Sequence, residues 1–311
     1  KIDSPMTGQP VAYPADVGGV ADRVFIGDRD GTMWRLNFAS ATGKTSDWTF
    51  EMFFDGFPND GGVDFSHGPN DGWPVTAAPI ISVDRIGNLT VAFSTGEQEA
   101  IGSDPSKPAN YVWSLTEVPS ADRKTLTPKV NWYLALKGAF AGDRVIGEMA
   151  LFAGDLFFST VGPGSTDACS SGSGKVWGMH YLDPAATKGK GGKTSTTLAD
   201  FVNSDGYIDA TTLLGSDAHA FLSGVSVAQQ PTCDSPGTTS DSGYFAYGSR
   251  PTGGGAAPGK YQLIIPTGDR VTTSTKPGIT PVNLGGGNGA AIDLKKPAIP
   301  LVVDSWASIV E

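Results

Sequence analysis

Met149-Ala-Leu-Phe-Ala-Gly-Asp-Leu-Phe-Phe-Ser-Thr-Val161, followed after a loop by Lys175-Val-Trp-Gly-Met-His-Tyr181, decides how this chain is read. Two apolar runs are separated by Ala-Gly-Asp155, a combination that suits a tight hairpin turn. The third run carries a tryptophan near its middle. The same order recurs upstream. Val24-Phe-Ile26, Gly27-Asp-Arg-Asp-Gly31 and Thr32-Met-Trp-Arg-Leu36 form one instance. Pro79-Ile-Ile-Ser-Val83, Asp-Arg-Ile-Gly87, Asn88-Leu-Thr-Val-Ala-Phe-Ser-Thr95 and Tyr111-Val-Trp-Ser-Leu115 form another. Trp34, Trp113 and Trp177 therefore occupy equivalent places in a repeated unit of strand, turn, strand, loop and Trp-bearing strand. Val225-Ser-Val-Ala228 and Lys260-Tyr-Gln-Leu-Ile-Ile265 are further strand-like runs.

A four-stranded unit recurring every ~40–50 residues is the mark of a propeller blade, which cannot bury both faces alone and must stack on neighbours. Residues 1–311 are read as one all-β domain, a modified β-propeller whose length accommodates about six or seven blades. A pair of β-sandwiches is the competing all-β reading. Composition agrees with both, because Gly 42 and Pro 22 make up about a fifth of the chain, against about an eighth in an average protein. Neither residue suits a helix interior, while short strands and turns need both. The long loops 97–110, 183–222 and 234–259 interrupt the repeat, and 234–259 has so little to bury that mobility is expected there.

The formal charge of −10 and pI of about 4.7 argue against nucleic acid or an anionic membrane surface as main partner. No run approaches the ~18 apolar residues of a membrane span. No signal peptide is visible, and a start at Lys1 without an initiator Met reads as a piece cut from a longer precursor. Lys188-Gly-Lys190-Gly-Gly-Lys193 reads as a solvated loop. Cys169 and Cys233 both fall in Ser/Gly/Pro-rich loops without a CxxC partner or nearby His, which disfavours a metal site. One disulfide between loops, and with it an oxidising compartment, is the reading taken; two free thiols is the other.

Candidates for chemistry are few. His67, His180 and His219 are scattered, and no Gly-x-Ser-x-Gly elbow is present, so a hydrolase triad has little support. Asp60, Asp64 and Asp71 surround His67 in a loop composition that favours solvation over metal binding. Asn88-Leu-Thr90 fits a glycosylation sequon, but its Thr falls inside a strand-like run. Gly285-Gly-Gly-Asn-Gly289 lacks the βαβ context of a phosphate loop. The sharper pattern is Phe201-Val-Asn203-Ser-Asp205-Gly206-Tyr207-Ile208-Asp209. Counted from Phe201, it places Asn203, Asp205, the Tyr207 carbonyl and Asp209 at calcium-ligand positions 3, 5, 7 and 9, with Gly at 6. Positions 1 and 12 lack carboxylates, so any calcium bound there is expected to be weak. An ion-free Asx turn is the alternative.

Taken in order, several segments resemble the C-terminal domain of the PilY family of type IV pilus tip and biogenesis proteins. They are Asp22-Arg-Val-Phe-Ile-Gly-Asp28 with Gly31-Thr-Met-Trp-Arg-Leu-Asn37; Pro74-Val-Thr-Ala-Ala-Pro79 with Val91-Ala-Phe-Ser-Thr-Gly96; and Asn131-Trp-Tyr-Leu-Ala-Leu136 with Gly142-Asp-Arg-Val145. Leu156-Phe-Phe-Ser-Thr160, Asp167-Ala-Cys169, Gly172-Ser-Gly174, Trp177 and Ser305-Trp306 continue the series. The resemblance implies a modified, quinoprotein-like propeller of about seven blades. It also implies export through the periplasm to the pilus tip, cell surface or outer membrane. Expected partners are minor pilins, the N-terminal domain of the same precursor, and a host or abiotic surface. The family's calcium loop should lie before the first Gly-Asp strand, but here the aligned stretch keeps only Asp16, Gly19 and Asp22, with Pro14 and Gly18 where carboxylates are expected. That loop is read as degenerate, leaving 203–209 as the candidate calcium site.

The functional expectation is a non-enzymatic surface module serving pilus assembly, adhesion or twitching motility through protein contacts, with no cofactor beyond weak calcium. A quinoprotein-type dehydrogenase propeller and a glycan- or matrix-binding surface module are the alternatives. Against the dehydrogenase, the cysteines are far apart and no basic cluster marks a central pocket.

Overall fold

The computed structural model describes residues 4–14, 20–39, 42–57, 72–97, 109–121, 125–163, 172–183, 201, 203, 205–214, 222–229, 261–267, 277–284 and 288–294. These residues form four antiparallel sheets and almost no helix, in agreement with the all-β reading. The first sheet runs β1 (Val11–Tyr13), β2 (Arg23–Gly27), β3 (Thr32–Asn37) and β4 (Thr49–Asp55), side by side in chain order. The second repeats that order with β5 (Ile80–Val83), β6 (Leu89–Ser94), β7 (Asn110–Pro119) and β8 (Leu126–Leu136). In the third, β10 (Ala150–Phe152), β11 (Asp155–Val161), β12 (Gly174–His180) and β13 (Tyr207–Asp209) lie in order, and β9 (Arg144–Val145) also pairs with β11. The fourth holds β14 (Ser226–Gln229), β15 (Tyr261–Thr267), β16 (Ile279–Asn283) and β17 (Asn288–Leu294), in the order β14-β15-β17-β16.

Alternation of side chains along a strand gives each sheet two faces, and in the second and third sheets both are apolar. In β6, Val91 and Phe93 join Trp113 and Leu115 of β7 against Phe25, Met33, Phe53 and Phe54 of the first sheet. Ala92, one residue out of phase, packs with Val112, Trp132 and Leu136 against Leu156, Phe158 and Trp177 of the third sheet. Phe157 and Val176 turn the other way, to meet Leu263, Ile265, Ala290 and Ile292 of the fourth. Three seams thus stack the four sheets face to face in chain order. First strands of neighbouring sheets approach each other, β1 with β5 and β10 with β14, as the inner strands of adjacent propeller blades do.

The three expected tryptophans fall on the third strand of the first three sheets. Their ladder partners are Ile26 for Trp34, Phe93 for Trp113 and Phe158 for Trp177. All are buried, with relative exposures of 6%, 0% and 1%. Trp113 and Trp177 each cover the face toward the preceding sheet. In the fourth sheet the corresponding place beside Ile265 is taken by Ala290, so that seam closes with small side chains and no indole.

Turn chemistry follows the sequence at β10–β11, where Phe152 faces Asp155 across a two-residue loop. Ala153 and Gly154 both hold positive φ, 51° and 85°, the type I′ combination whose twist suits a hairpin. Alanine pays a steric cost in that region which glycine does not. At the β2–β3 turn, Gly31 has φ 98° and Asp28 is completely buried. Asp28 accepts the Trp34 indole N–H at 2.6 Å and the Thr32 amide at 2.8 Å. Burial pushes its carboxyl up from 3.8 to about 7, helped by a side-chain hydrogen bond with Asp30 and opposed by the Trp34 and Thr32 donors.

Replacing Trp177 with Ala should cost about 3–5 kcal/mol of stability, read from denaturant melts; a wild-type midpoint would contradict the seam packing. Ala153→Gly should stabilise by about 1 kcal/mol by relieving the left-handed alanine, and a loss of stability would contradict the turn. For Asp28, the folded state keeps its proton at pH values where the unfolded chain has released it. Its contribution to stability therefore falls as pH rises from about 4 to about 7 and is flat above. The shift corresponds to at most about 4 kcal/mol. Asp28→Asn should lose less stability than wild type between pH 5 and pH 8, and parallel curves for the two proteins would contradict the assignment.

Candidate functional site

Several residues singled out in the sequence lie outside the described residues: Cys169, Cys233, Asp16, His67, His219, Asp60, Asp64, Asp71 and the segment 234–259. Asp22 lies just before β2, its amide donating to the Tyr13 carbonyl and its carboxylate 3.6 Å from Arg23 Nη1. The 203–209 segment forms a tight turn leading into β13. The Asn203 side-chain oxygen accepts the amides of Asp205, Gly206 and Tyr207 at 3.0, 3.1 and 3.2 Å. The Tyr207 carbonyl accepts the Asn203 amide at 2.9 Å. This is the hydrogen-bonding of an Asx turn. Asp205 and Asp209 are exposed, and Asp209 sits opposite Lys175 in the ladder. Among the described residues, no group of three or more His, Cys, Asp or Glu side chains is placed to hold a metal.

His180 ends β12, and its Nδ1 accepts the amides of Leu182 and Asp183, so the ring caps a chain reversal. Burial holds its pKa below the usual histidine value. The sequon is tied into the β5–β6 turn. Asn88 donates from both its amide and its side chain to Asp84, and Thr90 is buried in β6 at 3% exposure.

What the structure assembles instead is a charged network inside the first seam. Arg35, between Trp34 and Leu36 in β3, donates to Glu117 of β7 at 2.6 Å, to Glu51 of β4 and to the Leu126 carbonyl. Arg23 points its Nε at the second Glu117 oxygen from 3.4 Å. Glu117 is 2% exposed and Arg35 lies over the Phe53 ring. The Glu51 and Glu117 hydrogen bonds outweigh desolvation and raise the Arg35 pKa. A second buried pair, Lys175 Nζ to Asp143 at 2.9 Å, sits in the third sheet beside the Phe140 ring. Burial raises the Asp143 carboxyl, against the pull of Lys175. The sequence holds a weak signal for the first, Arg35 in the middle of a strand-like run, but nothing that names its partners.

The remaining distinctive surface is the face of the first sheet that points away from the second. It is the face that Trp34 shares by analogy with Trp113 and Trp177, but no described sheet packs on it. Trp34 pairs across the ladder with Met52 and Leu36 with Phe50, so Phe50 and Met52 of the edge strand β4, with Trp48 just before it, form one stripe. Phe50 stacks on Trp34 with centroids 5.1 Å apart, and Trp48 meets Phe38 edge to face. Trp48, Phe50 and Met52 are 50%, 42% and 58% exposed.

No family model and no curated protein matches the chain. Among solved structures, the chain is similar to the C-terminal domain of Pseudomonas aeruginosa PilY1, at 19% identity and a TM-score of 0.37. The match covers 57% of this chain and 48% of that one, so the chain spans about half of the structure it resembles.

Proposed function

We propose that the chain is a non-catalytic, exported module of a type IV pilus system that works through protein contacts, with minor pilins as its partners at the pilus tip or cell surface. The ordered motifs from Asp22 to Ser305-Trp306 support the pilus assignment. The single observation that carries the contact function is the Trp48–Phe50–Met52 stripe. Three large apolar side chains side by side, two on an edge strand and one just before it, are costly in water and mark interaction surfaces. Aromatic and methionine side chains are also those enriched in protein interfaces. Edge strands accept a partner strand by main-chain pairing, and the stripe would then supply selectivity. A quinoprotein-type enzyme is the competing reading, and a bound quinone would colour the purified protein.

The test is binding of the purified minor pilins of the same system, measured by biolayer interferometry. Met52→Lys combined with Trp48→Ser should weaken binding by about tenfold or more, the loss expected when interface anchors are removed. Ile86→Ser, on an exposed turn of the second sheet at 84% exposure, should leave it unchanged. Equal binding by wild type and the stripe variant, at equal thermal midpoints, would contradict the proposal.

A further inference from the structure

The residues that follow β12 tie the third sheet to the second. The Tyr181 amide donates to the Gly154 carbonyl at the β10–β11 turn, at 2.9 Å. Its carbonyl accepts the Trp132 indole N–H at 3.0 Å and the Ser114 hydroxyl, both from the second sheet. Its own hydroxyl donates to the Val83 carbonyl at the end of β5, at 2.8 Å. Tyr181 thus makes three hydrogen bonds across the seam between the second and third sheets. The chain reversal that presents it is capped by one acceptor. His180 Nδ1 takes the amides of Leu182 at 3.3 Å and Asp183 at 3.1 Å.

An imidazole nitrogen accepts a hydrogen bond only while it carries no proton. The neutral ring here therefore holds its hydrogen on Nε2, and protonation places the second on Nδ1, facing two N–H donors. Both caps are then lost together and replaced by repulsion between donors. Burial opposes the cation; Asp155, the ladder partner of His180 in β11, and Asp183 favour it; Arg85 of the β5–β6 turn opposes it. Burial prevails and keeps the ring neutral below the ordinary histidine value of 6.5. The unfolded chain takes up the proton first, so the stability contributed by His180 is complete above about pH 6.5 and falls as the pH drops through that value toward the folded-state pKa. We propose that His180 is a proton-operated clasp: its neutral imidazole holds the Tyr181 reversal against the second sheet, and acidification releases it. The clasp is separate from the β4 stripe and does not depend on the pilin contact.

Nitrogen-15 NMR of the intact chain between about pH 7.5 and about pH 5 tests this. At the upper end the His180 ring should be the Nε2-protonated tautomer. As the ring titrates, the Leu182 and Asp183 amides and the Trp132 indole N–H should shift with the same midpoint. Once the ring is charged, the Trp132 indole proton should exchange with solvent about tenfold faster, corrected for the intrinsic rate, as expected when a buried hydrogen bond is given up. Trp177, whose indole donates to Thr160 within the third sheet, should keep its position. His180→Asn supplies an oxygen that accepts but does not titrate, and should abolish the Trp132 response. Should that variant fail to fold, the wild-type titration decides alone. A ring protonated on Nδ1 alone at the upper pH, a Trp132 signal that ignores the His180 titration, or an unchanged Trp132 response in folded His180→Asn would each overturn the proposal.

Discussion

The second and third sheets each bury two faces, and the arrangement of the described sheets follows from that requirement. β6 and β11 are buried along their whole length, so neither face of the second or third sheet is given to water there. A sheet with two apolar faces is stable only between neighbours. Out-of-phase residues, Val91 and Phe93 against Ala92, or Leu156 and Phe158 against Phe157, send alternate side chains into successive seams. A register slip of one residue would exchange the two seams, placing Phe93 where Ala92 fits. The same requirement makes the outer face of the first sheet conspicuous, since its Trp34, Phe50 and Met52 have the character of a seam without a described sheet on the other side.

The seams are not purely apolar. Arg35 and Glu117 meet across 82 residues of sequence, and Lys175 and Asp143 across 32. Removing one partner of such a pair leaves a buried charge uncompensated and is strongly destabilising, although an apolar pair of the same shape can be equally stable. Their contribution is better understood as alignment. Arg35 reaches Glu51, Glu117 and the Leu126 carbonyl together only when the first and second sheets sit at one mutual position.

The repeat was legible because it is local. Turn, strand and Trp-bearing strand lie within a few tens of residues, and Trp34, Trp113 and Trp177 take the same place in the first three sheets. The fourth sheet was harder to read because Ala290 stands where a tryptophan would announce it, and because β17 inserts between β15 and β16. Length suggested about six or seven blades, while the described residues make four sheets. Charged pairing across a seam is a long-range property, so Arg35 and Glu117 gave no signal of each other. At 203–209 the spacing of oxygen-bearing residues was visible, but spacing does not reveal direction, and Asn203 turns its oxygen onto the amides of its own turn.

The stacking of sheets through specific seams is tested most directly by a double-mutant cycle between Arg35 and Glu117, using Arg35→Met, Glu117→Gln and the double variant. Stability is measured by denaturant unfolding at neutral pH. Residues in direct contact within one network couple by about 0.5–3 kcal/mol, whereas independent sites add to within about 0.5 kcal/mol. Face-to-face stacking of the first two sheets predicts a favourable coupling of about 1–3 kcal/mol. Additive effects of the two substitutions, each destabilising on its own, would contradict it.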